Sequence, residues 1–182
     1  GDMGADVIKI EPPGRPDPIR TWGQAEVDGH RFYWTVHGRN KRAITLDLRS
    51  ERGRDLFLRL ADGADIIVEN FRPGTLERMG LAPAALLERN PDLIVVRISG
   101  FGQTGPYAQY PGFGTLVEAM SGFAARTGFP DREPVLPPLA LADMIAGLQG
   151  AQAVSTALLA RQRGLARGQV IDLSLLEPIF SV

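Results

Sequence analysis

Leu93-Ile-Val-Val-Arg-Ile98 runs directly into Ser99-Gly-Phe-Gly-Gln-Thr-Gly-Pro-Tyr107. The first six residues, dominated by β-branched apolar side chains, read as an interior strand. The glycines and Pro106 then punctuate the chain and read as a loop. A strand apolar on both faces needs cover on both, which is the habit of parallel sheets crossed by helices. The flanking sequence supplies such helices. Upstream, Pro83 opens a predicted helix Ala84–Arg89 that Pro91 ends, and Leu76–Met79 forms a shorter one stopped by Gly80. Before these, Asp65-Ile-Ile-Val-Glu69 is a second buried-type strand, with Asn70-Phe-Arg-Pro-Gly74 as the turn after it.

Further upstream, Ile44, Leu46 and Leu48 alternate with Thr45, Asp47 and Arg49, the two-residue period of a strand with one solvated face. Ser50 then caps a helix with Leu56, Phe57 and Leu60 predicted inward and Arg52, Arg54 and Arg59 outward, closed by Gly63. Val7–Ile10 is a strand candidate ended by Pro12-Pro13-Gly14. Arg15–Gly38 mixes proline, glycine and aromatics without a steady period and reads as an excursion with one helical turn near Phe32. Downstream come a predicted helix Thr115–Arg126, a turn at Gly128–Asp131, a long apolar helix reaching Arg163, and a strand at Gly168–Leu173. Strand–helix alternation predicts an α/β fold, a Rossmann-like parallel sheet with helices on both faces. In such sheets ligands sit beyond the carboxyl ends of the strands. The excursion after Ile10, the turn Asn70–Gly74 and the loop Ser99–Gly114 all fall there.

The 182 residues suffice for one ordinary domain, and 44% hydrophobic with 23% charged residues is a globular composition. A formal charge of −1 gives no general attraction to nucleic acid or anionic membrane. No cysteine occurs, which excludes disulfides, thiolate metal sites and Cys nucleophiles. His30 and His37 are the only histidines, so no His-rich metal site is expected. Neither a signal peptide nor a transmembrane run is visible, and both ends read as cut.

Asp143 stands where the proline-rich Pro134-Val-Leu-Pro-Pro138 gives way to the long apolar helix. That places it at the predicted N-cap, where a side-chain oxygen accepts free backbone N–H groups. The small residues Gly147, Gly150, Ala151 and Ala157 are predicted to form a face for close packing. Lys41, Arg42, Arg49, Arg72 and Arg78 lie at predicted strand–loop boundaries. Singly each reads as a solvated surface charge; as a set beside Asn70 they suit phosphate oxygens, which guanidinium groups match in pairs. No Walker loop, nucleophile elbow, zinc-type His pair or true dinucleotide fingerprint is present.

Several segments in order carry more. Gly4–Gly14, Asn40–Leu48, Val68-Glu-Asn-Phe-Arg-Pro-Gly74, Leu76-Glu-Arg-Met-Gly80, Ser99–Tyr107, Pro111-Gly-Phe113 and Leu141-Ala-Asp143 resemble the class III CoA-transferase family. That family includes formyl-CoA transferase, carnitine CoA-transferases and α-methylacyl-CoA racemase. The resemblance runs from Gly1 to Val182 and implies the N-terminal and middle part of the family's large domain, truncated at both ends. It implies coenzyme A as the acyl-carrying substrate, no metal, acyl-CoA and small carboxylic acids as partners, an interlocked homodimer, and a cytoplasmic location.

Carried over by position, the resemblance makes Asp143 the nucleophile. It assigns CoA contact to Leu46, Asp47, Leu48 and Arg49, to Asn70, Phe71 and Arg72, and to Arg78. Pro111, Gly112, Phe113 and Gly114 fall on the loop lining the pantetheine channel. Pro12 and Pro111 replace basic residues of some members, and Gly114 replaces an acidic residue of many. Phe113 stands where the racemase branch has a histidine, so the sequence favours transfer over racemisation. The alternatives are a racemase or epimerase and a non-catalytic CoA-binding module. The helix start is expected to keep Asp143 ionised, and its free N–H groups, or nearby glycine backbone, to stabilise an oxyanion.

Overall fold

A computed structural model describes residues 1–181, which form two compact units, Gly1–Leu58 and Arg59 onward. In the first unit, β1 (Val7–Glu11) pairs in parallel with β4 (Lys41–Thr45). Between them the excursion is more ordered than its composition suggests. It holds a 3-10 turn at Pro18–Thr21, a hairpin of β2 (Glu26–Val27) and β3 (His30–Arg31), and the two-turn helix α1 (Phe32–Gly38). Side-chain contacts replace periodicity there: Glu11 is buried and takes Arg20 Nε at 3.0 Å, and the Arg20 guanidinium lies 3.8 Å from the Trp34 ring. The strand predicted through Arg49 ends at Thr45. Leu46 N–H still donates to Glu11, but Arg49 N–H turns to Asp47 Oδ1 at 3.0 Å, so Asp47 closes the strand with its own side chain.

α2 (Glu51–Asp62) starts as expected: Ser50 Oγ accepts the Gly53 N–H at 3.0 Å. Its buried face differs, being Gly53, Phe57 and Ala61 at four-residue spacing, with Leu56 and Leu60 exposed.

The second unit is organised on a parallel sheet in the order β5 (Ile66–Glu69), β6 (Ile94–Ser99), β7 (Gln169–Ser174). The register pairs Val68 with Val96 and Val96 with Ile171. β6 is the central strand, and Leu93 through Val96 are essentially inaccessible, which is why its sequence lacks alternation. The β5–β6 crossover carries α3 (Thr75–Arg78) and α4 (Pro83–Arg89). The β6–β7 crossover carries α5 (Gly114–Met120), α6 (Phe123–Arg126) and α7 (Leu141–Gln162). The short helix α8 (Leu176–Phe180) follows β7. The single helix predicted over Thr115–Arg126 is two, because Gly122 takes φ 83°, outside helical space.

α7 lays Ala142, Ala146, Gly150 and Ala157 into the core. The small-residue face is therefore real but rotated from the predicted one: Gly147 and Ala151 are exposed, whereas Gly150 sits against Leu173. Ala157 packs with Ile94, Val96 and Leu173, while Ala142 and Ala146 pack with Val117, Leu175 and Ile179.

Candidate active site

Asp143 lies in the first turn of α7 as its third residue; the N-cap is Ala140, which offers no side chain to the helix. The predicted capping role is thus not its own. Glu118, buried in α5, accepts the Ala142 N–H through Oε1 at 3.1 Å. Leu141 N–H donates to the Leu139 carbonyl at 2.9 Å. The Leu141 and Ala142 N–H groups are therefore already engaged and are not free donors for an oxyanion.

The carboxylate of Asp143 is open to solvent on one side and rests on the Cα of Gly114 on the other. A β-carbon at Gly114 would fall 3.4 Å from Asp143 Cγ and inside any real contact distance of Oδ2. Partial desolvation by the surrounding protein and the negative charge of Glu118 raise the Asp143 carboxyl above its ordinary range, against the lowering effect of its backbone hydrogen bond. The expected lowering by the helix start is thus outweighed by burial and by Glu118. Among the described residues no Lys or Arg forms an ion pair with it.

Gly114 is delivered there by the loop after β6. Gly100 and Gly112 meet backbone to backbone: a β-carbon on Gly100 would come 3.1 Å from Gly112 N and nearer still to its Cα. The loop is also tied to β7, where Asp172 Oδ2 accepts the Gln103 N–H at 2.8 Å, and at its base the carbonyl of Ser99, the last residue of β6, accepts the Leu175 N–H at 2.8 Å. Phe101, Tyr107 and Tyr110 form a ring series with centroids 5.6 and 5.5 Å apart, and Tyr110, Pro111, Gly112 and Phe113 are exposed. The structure thus brings Pro111–Gly114 and Asp143 together.

A second group gathers at the carboxyl end of β5. Glu69 and Arg97 are buried partners at 2.7 Å, and Arg97 also reaches Glu77 at 2.8 Å. The other oxygen of Glu69 accepts the Phe71 N–H at 2.7 Å. Glu77 is held below its ordinary range because, against a desolvation that raises it, Arg97 hydrogen-bonds its charged form. This network anchors the Asn70–Phe71–Arg72 turn and α3, leaving Asn70, Arg72 and Arg78 exposed. Arg78 Nη2 donates to Thr75 Oγ1 at 2.8 Å. Leu46, Asp47, Leu48 and Arg49 belong to the first unit, at the end of β4. Of the remaining basic residues, Arg42 pairs with Asp6 at 2.5 Å and Lys41 bonds the His37 carbonyl at 2.6 Å.

Sequence reasoning missed Glu118, Arg97 and Glu69. A charged residue inside a helix or strand reads as a solvated one; only its burial marks it.

A cavity of about 690 Å³ lined by Asp62, Asp65, Asn90, Asp92 and Arg161 opens at the amino ends of the strands, where α7 finishes. Its acids are matched by arginines, Asp62 by Arg89, Asp65 by Arg161 and Asp92 by Arg167, so it lacks the unpaired carboxylate of the Asp143 end. No group of three metal-ligating side chains occurs among the described residues. No helix among them is long and apolar enough to cross a membrane.

The family model described as CoA-transferase family III matches residues 1–182. A succinyl-CoA–D-citramalate CoA-transferase from Chloroflexus aurantiacus is 47% identical over 181 residues, covering 100% of this chain and 45% of that protein. A succinyl-CoA:glutarate CoA-transferase from Mus musculus is 39% identical over 176 residues, covering 97% of this chain and 40% of that protein. The crystal structure of a CAIB/BAIF family protein from Brucella suis superimposes with TM-score 0.93 at 43% identity, over 100% of this chain and 48% of that one. The chain thus spans somewhat under half the length of the proteins it matches.

Proposed function

Since the chain belongs to CoA-transferase family III, we propose that the intact protein transfers coenzyme A from an acyl-CoA thioester to a free carboxylic acid, with Asp143 as the nucleophile. The observation that carries this reading is the Asp143 carboxylate itself: solvent-facing, without an ion-pair partner among the described residues, and seated on a glycine where an acyl group can approach. A raised pKa also leaves a carboxylate a better nucleophile once ionised.

The steps balance without a further reactant. An Asp143 oxygen attacks the thioester carbonyl, the C–S bond breaks, and CoA leaves as thiolate, giving a mixed anhydride. Thiolate is a tolerable leaving group because thiols ionise near pH ~8.5. The thiolate then attacks the Asp143 carbonyl, forming an aspartyl-CoA thioester and freeing the first acid. The carboxylate of the second acid attacks that thioester carbonyl, its C–S bond breaks, and CoA thiolate leaves behind a new anhydride. Thiolate returns to its acyl carbon, and Asp143 is regenerated. Covalent catalysis divides one difficult exchange into easier ones.

Asn70, Phe71, Arg72 and Arg78, with Leu46, Asp47, Leu48 and Arg49, are the proposed contacts to CoA, and Pro111–Gly114 the wall of its pantetheine arm. The exposed guanidinium groups suit phosphate. Phe113 cannot serve as an acid or base, which supports transfer over racemisation. An interlocked homodimer and a cytoplasmic location belong to the same reading and rest on family alone.

Succinyl-CoA, the donor named in both relatives, is the first donor to test, with glutarate as acceptor. Incubating the intact protein with succinyl-CoA and hydroxylamine is expected to leave a hydroxamate on the Asp143 peptide. An active enzyme whose Asp143 stays unmodified, or an Asp143→Asn variant that still exchanges CoA, refutes the assignment.

A further inference from the structure

We propose that Glu118 is a positioning residue: by accepting the Ala142 N–H it caps α7 in place of a local side chain, and so leaves the carboxylate of Asp143 turned toward the acyl group. The inference rests on Asp143 being the nucleophile.

Three observations support it. The N-cap residue Ala140 has no side chain able to accept a hydrogen bond. Glu118 comes from a different helix and is 3% exposed, although a carboxylate is costly to bury unless hydrogen-bonded. Its acceptor reaches the residue immediately before Asp143, at 3.1 Å. An aspartate in the first turn of an otherwise uncapped helix is drawn toward the orphan backbone donors around it. Glu118 removes one of those donors, the Ala142 N–H, from competition. It also works from the helix that carries Gly114, so one element sets both the cap and the surface on which the nucleophile lies.

The test compares three variants of the intact protein in the exchange assay. Glu118→Gln keeps an acceptor at the same reach but no charge. Glu118→Asp keeps the charge and withdraws the acceptor by about 1.5 Å, one C–C bond. Glu118→Met keeps the volume and has no acceptor. Capping predicts that the Gln variant retains kcat within about threefold. The Asp and Met variants should lose about 10- to 100-fold, as expected for a displacement near 1 Å, with KM for acyl-CoA within about threefold. Hydroxamate formation at Asp143 should fall in parallel.

If the Met variant fails to fold, judged by circular dichroism, the Gln and Asp variants still decide. Loss in Gln with retention in Asp overturns the proposal in favour of a charge role. Retention in Gln and Asp alike overturns it altogether. An Asp143→Asn control separates the two levels. If that control is inactive while the Glu118 variants are unaffected, only the positioning role falls; if it is active, the nucleophile assignment falls first.

Discussion

Replacing either glycine of the Gly100–Gly112 crossing with alanine is the sharpest perturbation the fold offers. The β-carbon of Gly100→Ala would lie 3.1 Å from Gly112 N and 3.2 Å from its C, with the Cα closer still; that of Gly112→Ala would lie 3.0 Å from Gly100 N. Unstrained heavy-atom contacts begin near ~3.5 Å, so the two backbone segments must part by roughly 1 Å or more. Neither neighbour is a flexible side chain that can swing away, and Gly100 is bound to α8 through its carbonyl and the Leu176 N–H at 3.2 Å. Overpacking of this kind costs about 3 kcal/mol, the upper end of what added methyl groups inflict. For a domain of this size that is a fall of about 6–12 °C in Tm. Because the second substitution meets segments already separated, the double variant should lose less than the sum of the singles. Thermal and urea melts of both singles and the double variant measure this. Singles within about 1 kcal/mol of wild type, or strictly additive losses, would refute the crossing as the clasp of the loop.

Other perturbations separate position from stability. Gly114→Ala should lower kcat by about tenfold or more while barely moving Tm. The added carbon displaces only the Asp143 carboxylate, and Ala is a better helix former than Gly by about 1 kcal/mol; an unchanged kcat would contradict that contact. Gly147→Ala, in an exposed stretch of α7 with nothing within 4 Å, should raise stability by up to about 1 kcal/mol in urea denaturation. Arg97→Met should cost about 3–5 kcal/mol because it strands Glu69 in the interior, and adding Glu69→Gln should recover part of the loss; no recovery would mean that the buried charge was not the cause. Asp143→Asn tests the raised pKa. A carboxyl whose folded pKa lies above its unfolded value of 3.8 loses stability as pH rises from that value through the folded pKa. The Asn variant should therefore melt higher than wild type at pH 7, with the advantage fading at pH 3. An advantage that persisted or grew at pH 3 would contradict the sign.

Local pattern was enough for the strands of the second unit and for the Ser50 cap, because β-branched runs and a Ser before a helix express themselves within a few residues. The family motifs singled out Asp143 and the turn Asn70–Arg72, whose roles remain the proposal above. Tertiary choices were not legible. Gly100 and Gly112 each read as ordinary turn residues, since nothing in a local window says that two glycines 12 residues apart will touch. Leu56 and Leu60 satisfy an inward pattern as well as Phe57 does, and only packing chose Gly53, Phe57 and Ala61. Asp143 attracted the N-cap assignment because it is the first polar side chain after the prolines. The helix begins two residues earlier and borrows its cap from Glu118.

That borrowed cap has a mechanical meaning. α5 and α7 are fastened at two points rather than one: Glu118 to the backbone of Ala142, and Gly114 against the side chain of Asp143. On α5 these points stand four residues apart, about one helical turn, and on α7 they are adjacent. A single fastening would leave a hinge about which one helix could swivel; two arrest that rotation. The aim of the carboxylate is thus set by a joint between packed helices, with the stiffness of the protein interior, although the group itself looks out into water. If Asp143 is the nucleophile proposed above, the direction of its attack is set by this joint between helices and not by the exposed Tyr110–Phe113 segment alone.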